Sequence, residues 1–281
     1  MTIDAKKATT WMTRERKWLK EYLVRVEQEN VASIRRQKLA DYASGKLDVG
    51  VGSSALDALA SYHGAAGCSR VLSGDDHGFL DIDLACLENF WMIRLLTRGY
   101  DLDQRPGKGA RVLLERVATC WMHAEALGAT RIREWLDALI HKCEDGYPGV
   151  EGKHMSPLCT LVAWFVTGKP VAALERSGWA KIGTYAPVAA GSFTAQSYDE
   201  LAAYHQKGVD GAGYPPFHFY PYRLVPFELQ VIAKRTGVAL EGKHPLLTSP
   251  LAKPRLVQEI PVTDELRAVL ASRAAEVTTD G

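Results

Sequence analysis

Gly78-Phe-Leu-Asp-Ile-Asp-Leu-Ala-Cys-Leu-Glu-Asn-Phe-Trp-Met-Ile-Arg-Leu-Leu-Thr-Arg98 is the stretch whose reading decides the fold. Phe79, Ile82, Ala85, Cys86, Phe90, Ile93 and Leu96 recur at steps of three and four residues, and Leu84, Leu87, Trp91 and Leu95 widen the same face. A strand places every second residue on one face, whereas this spacing follows the 3.6-residue turn of an α-helix. So broad an apolar face leaves little for water, and it predicts a central helix buried on most sides.

Similar patterns extend both ways from this helix. Upstream, Thr10 to Lys38 reads as one long amphipathic segment, with Trp11, Trp18, Leu19, Tyr22, Leu23 and Val26 as its apolar stripe. Ser54 is placed to cap a helix carrying Leu56, Leu59 and Tyr62, which weakens at Gly64 and Gly67. Downstream, Arg105-Pro-Gly-Lys-Gly109 reads as a turn and Ala110 to Leu127 as a helix closed by Gly128. Thr130 opens the next helix, so Gly128 marks an antiparallel hairpin of two helices. Further helices are expected at Leu158–Val166 after Ser156-Pro157, at Ala172–Lys181, from Ser197, at Phe227–Arg235 before Gly237, and from Thr263 to about Val277. The class expected is all-α, a multi-helix bundle of roughly ten helices. The Gly, Pro and charge-rich run Asp145–Lys153 offers a boundary. It divides 1–148, an N-terminal helical domain or subdomain, from 149–281, a C-terminal helical subdomain with an aromatic and proline-rich loop.

The chain has 281 residues, 47% hydrophobic and 24% charged, enough to bury a core without metals or disulfides. A formal net charge of +1 argues against a nucleic-acid backbone or an anionic membrane as the dominant partner. Cys68, Cys86, Cys120, Cys143 and Cys159 are odd in number and widely spaced, unlike a disulfide framework. The opening Met1-Thr-Ile-Asp-Ala-Lys-Lys7 lacks the apolar run of a signal peptide, so a reducing cytoplasm is expected.

Asp75, Asp76, His77, Asp81 and Asp83 gather carboxylates and an imidazole into nine residues. Three readings compete: a hard-cation site, an acidic helix start with one aspartate as cap, or an exposed patch for a basic protein partner. On the first reading the chain is a metal-dependent hydrolase using Asp75, Asp76 and His77 with Glu88 or His123; a helical scaffold or regulator within a larger complex is the other alternative. The spacing matches no EF-hand or helical His pair, and neither a metal nor a cofactor is expected. The basic residues Arg14, Arg16, Lys17, Lys20 and Arg25 alternate with Glu15, Glu21, Glu27 and Glu29, which reads as a solvated face and not a phosphate track. No nucleophile elbow, phosphate loop or Cys-x-x-Cys pair completes itself, so no catalytic residue is assigned.

The most informative segment is Gly213-Tyr-Pro-Pro-Phe-His-Phe-Tyr-Pro-Tyr-Arg-Leu-Val-Pro-Phe-Glu-Leu-Gln-Val-Ile-Ala-Lys-Arg-Thr-Gly237. Its prolines restrict the loop, and its rings offer large contacts at small entropic cost. Such a loop either closes the core or forms a binding edge. This segment resembles the C-terminal part of helical bacterial immunity proteins of polymorphic-toxin and type VI secretion systems, the PoNi-like group. In that group an aromatic loop precedes a helix bearing a glutamate and small residues, and Glu228, Ala233 and Gly237 occupy those places here. Asp41-Tyr-Ala-Ser-Gly-Lys46 is similar to a short Tyr-Ser-Gly turn near the start of the same group. The resemblance implies a cytoplasmic, all-helical, non-catalytic protein that occludes a cognate toxin or effector. The partner-binding residues expected are Asp75, Asp76, Asp81 and Asp83 of the acidic stretch, and Tyr214, Phe217, Phe219, Tyr220 and Tyr222 of the aromatic loop.

Overall fold

The computed structural model describes residues 5–98, 112–144, 150–151, 155–210, 217–257, 260 and 262–277. They form an all-α fold. Its helices are α1 Ala5–Gln28, α2 Val31–Ala43, α3 Val49–Leu72, α4 Gly78–Arg98, α5 Leu114–Leu127, α6 Thr130–Glu144, α7 Pro157–Thr167, α8 Val171–Arg176, α9 Ala186–Ala189, α10 Ser197–Asp210, α11 Phe227–Thr236, α12 Pro245–Thr248 and α13 Asp264–Val277. Two-residue strands β1 Val112–Leu113 and β2 Val150–Glu151 pair in parallel, a clip too short to leave a periodic signal.

α4 occupies the expected stretch, with Ile82, Ala85, Cys86 and Ile93 inaccessible to water. Its closest companion is α3. There the glycines have a role that their low helix propensity hides. A Cβ on Gly67 would come under 3.0 Å from the Gly78 carbonyl, and one on Gly64 under 3.0 Å from the backbone of Pro221. These residues do not weaken α3; they let other backbones touch it. The cap of α3 is Asp48, whose side chain accepts from the Val51 N–H at 3.0 Å, and not Ser54, which lies inside the helix.

The N-terminal amphipathic segment is two helices. Asn30 adopts φ 50°, left-handed backbone that the short polar Asn side chain tolerates, and this ends α1 and starts α2. The hairpin of α5 and α6 turns where expected, at Gly128 with φ 74°. α8 ends at Arg176, five residues before Lys181. The Arg105–Gly109 turn lies outside the described residues.

One hydrophobic core takes in Trp11 and Leu19 of α1, Leu56 of α3, Ile93 of α4, Trp121 of α5, Leu161 of α7, Tyr198 of α10, Leu229 of α11 and Leu266 of α13. It therefore runs across the expected boundary at 148. Buried ion pairs cross it too: Glu15 of α1 with Arg223, and Asp83 of α4 with Arg255. Among the described residues no helix is long and apolar enough to cross a membrane.

Candidate functional site

The acidic stretch is spent on the fold. Asp75 and Asp81 both bind the Arg70 guanidinium, at 2.8 and 3.0 Å. Asp75 also accepts the His77 N–H at 3.0 Å, the local cap of the turn into α4. The Arg70 hydrogen bond, then the His77 amide, holds its carboxyl below the usual range. Asp83 is not a surface residue: it is 1% exposed and pairs with Arg255, a partner lying 172 positions along the chain. Burial nonetheless pushes the Asp83 carboxyl up, with Arg255 opposing. Four aspartates thus present no free acidic patch, and Asp76 is the member left exposed without a side-chain bond among the described residues.

The residues of the hydrolase reading do not converge. Glu88 is buried on the His63 imidazole at 2.9 Å. His123 is fully buried, its ring stacked on Phe227 at 3.8 Å with Tyr222 edge-on at 5.7 Å. Among the described residues no three His, Cys, Asp or Glu side chains are grouped to hold a metal ion.

The aromatic segment closes the core over most of its length. Phe217 is 2% exposed and stacks on His205 at 4.1 Å. Tyr222 is buried, with its hydroxyl accepting from Asn89 at 3.3 Å. Tyr220 is 7% exposed, while Tyr214 lies outside the described residues. Of the expected binding aromatics, Phe217 and Tyr222 are therefore packing residues. Phe219 stays half-buried, with the Arg116 guanidinium 3.6 Å above its ring. Glu228 is likewise internal: its carboxylate meets His205 Nδ1 at 2.6 Å, and the other ring nitrogen lies 3.3 Å from the Arg223 carbonyl oxygen. It ties α10 to α11, while His205 also reaches the segment that leads into α11.

What this arrangement builds is a groove. On α1, Trp18, Glu21, Tyr22 and Arg25 fall at steps of three and four and so share one face. Ala58 and Ser61 of α3 form the floor, and His218, Phe219, Tyr220 and Arg223 form the opposite wall, around a volume of about 670 Å3. Arg223 is held in place at the site. Its Nε and Nη2 donate to one oxygen of the fully buried Glu15 carboxylate, at 3.0 and 2.8 Å, and Nη1 donates to the His218 carbonyl at 3.3 Å. That fixes its guanidinium 5.6 Å from the Trp18 ring and 5.8 Å from Tyr220. Arg14 lies over Trp18 at 4.9 Å, and Tyr22 meets Tyr220 at 5.6 Å.

Trp18 is nevertheless 44% exposed. Burial raises the Tyr22 hydroxyl pKa, with Arg25 opposing. Burial lowers that of His218, and the charges of Arg223 and Arg116 lower it further. An exposed Trp18 with the half-buried Tyr22 and the exposed Arg25 beside it, backed by the buried Tyr220 and Arg223, has the composition of an interface anchor.

Sequence reading placed Trp18 and Tyr22 in the core stripe of a helix and so missed them. The signal was present: Arg14 and Arg25 flank Trp18 and Tyr22 along one face, whereas a face turned wholly inward seldom carries arginine.

No protein-family model, curated protein or solved structure matches this chain.

Proposed function

We propose that this is a non-catalytic, immunity-type protein that binds and neutralises a cognate bacterial toxin or effector in the cytoplasm, using the groove between α1 and the His218–Arg223 wall. The observation that carries the binding role is Trp18, a large ring left nearly half exposed beside fixed arginines and tyrosines. Burying such a ring against a partner contributes far more than its rim of surface charges. The choice of a toxin as partner rests on the resemblance of Gly213–Gly237 to the immunity group.

The test is affinity capture from the native cell followed by a protection assay. The captured protein, expressed alone, is toxic. Wild-type chain relieves the toxicity, and Trp18→Asp, which leaves a surface position polar and the fold intact by circular dichroism, does not. Equal protection by Trp18→Asp removes the groove from the function; a harmless captured protein removes the immunity role.

A further inference from the structure

We infer that the groove takes an acidic segment of its partner, one carboxylate of which pairs with Arg25 while a neighbouring apolar side chain lies against Trp18 and Tyr22. This rests on the reading of the groove as a binding surface and goes further by naming the chemistry it recognises. The ion pairs around the groove supply the first argument. Glu15 is consumed by Arg223 at 2.8 Å, Asp57 by Arg116, and Glu21 by Lys17 at 3.7 Å. Arg25 is exposed and makes no ion pair among the described residues. When the internal pairs are set aside, one cation remains at the mouth.

The second argument concerns the rings. A lysine or arginine from a partner would seek an aromatic face. Those rings already have guanidinium neighbours, Arg14 and Arg223 at Trp18 and Arg25 at Tyr22 at 5.9 Å, while Trp18 stays 44% exposed. A basic partner would bring a further cation to rings that already have theirs, beside the unpaired Arg25, and is repelled, whereas an apolar side chain is not. A nucleic-acid strand is also disfavoured. It needs a run of cations at phosphate spacing, whereas a single cation without an ion pair among the described residues, Arg25, stands at this mouth.

The experiment is to pan a phage library of random heptapeptides on the intact protein, and to compare each clone on Trp18→Ala and Arg25→Glu chains. Both substitutions are at the surface, and far-ultraviolet circular dichroism checks the fold. The expected clones carry Asp or Glu beside an aliphatic or aromatic residue. They lose binding on Trp18→Ala and weaken about tenfold on Arg25→Glu, and a Lys-for-Glu exchange in the peptide recovers binding on Arg25→Glu. Clones that need Trp18 yet are basic, or are indifferent to Arg25→Glu, overturn the acidic partner and leave the groove standing. Absence of any Trp18-dependent clone overturns both. Displacement of the clones by a single-stranded oligouridylate, with affinity falling steeply as salt rises, assigns the groove to nucleic acid instead.

Discussion

His123 is fully buried, and neither ring nitrogen has a hydrogen-bond partner among the described residues. Burial, then the charge of Arg255, keeps its pKa well below the ordinary value. His244 behaves alike, lowered to about 4 by burial and by His205, with Asp199 opposing. Both rings are neutral in the fold, while the unfolded chain takes up their protons below about pH 6.5. Each therefore favours the folded state above that pH and loses this contribution as the pH falls toward the folded pKa. His123→Leu removes one such group, so its acid unfolding midpoint moves to lower pH. At pH 8 its stability stays within about 1 kcal/mol of wild type, because relief of an unpaired polar group offsets the lost stacking. Thermal melts from pH 4 to 8 check this, and an unchanged acid limb would count against it. At this scale sequence reading was weakest. Four aspartates in nine residues look like a site until Arg70 and Arg255 are placed, and the second of these comes from a distant segment. Local spacing carries no information about such a partner.

At the level of elements, two contacts hold the long helices in register. α3 meets the start of α4 through Gly67, where any side chain would press on the Gly78 carbonyl. Backbone against backbone has no flexible end to yield, so Gly67→Ala costs about 2 kcal/mol or more, near the upper part of the overpacking range. Urea denaturation measures it, and a loss under half that figure would show that α3 slides freely. α1 is tied to the wall of the groove by Glu15 and Arg223. Removing one partner strands a buried charge, so Glu15→Met alone and Arg223→Met alone each destabilise by about 3 to 5 kcal/mol, and the double substitution by much less than their sum. Additive losses in the double-mutant cycle would mean that the pair does not act as a unit. Several helix ends were legible from local signals: Gly128, Pro157, Ser197 and Gly237 stand where expected, though the end of α8 and the cap of α3 do not. The break at Asn30 was not, because the apolar pattern resumes beyond it and one left-handed Asn has no louder signature. Gly64 and Gly67 misled for the opposite reason, since a glycine admitting a neighbour and one ending a helix are the same letter.

Over the whole molecule, one core joins residues on both sides of position 148, and the pairs Glu15–Arg223 and Asp83–Arg255 bridge the two parts. The two parts share their buried surface, so neither loses it without exposing the other. We expect a single unfolding transition in which near-ultraviolet and far-ultraviolet circular dichroism coincide; two separated steps would restore the boundary as a division between independent units. The all-α class was readable because helical periodicity repeats through nearly every segment. The groove was not, because it forms where α1, α3 and the His218–Arg223 segment meet, and which ring of a mixed stripe faces outward is decided by packing with remote partners.

The exposure of Trp18 also has an optical consequence. Of the seven tryptophans, Trp11, Trp91, Trp121 and Trp179 are buried, and Trp135 and Trp164 are half-buried. Trp18, 44% exposed, is the one set in water at the mouth of the groove. Its emission lies to the red of the others, and iodide reaches it first. The molecule thus carries its own fluorophore at the place where we expect a partner to dock, and occupancy can be followed by shielding from the quencher with no label attached.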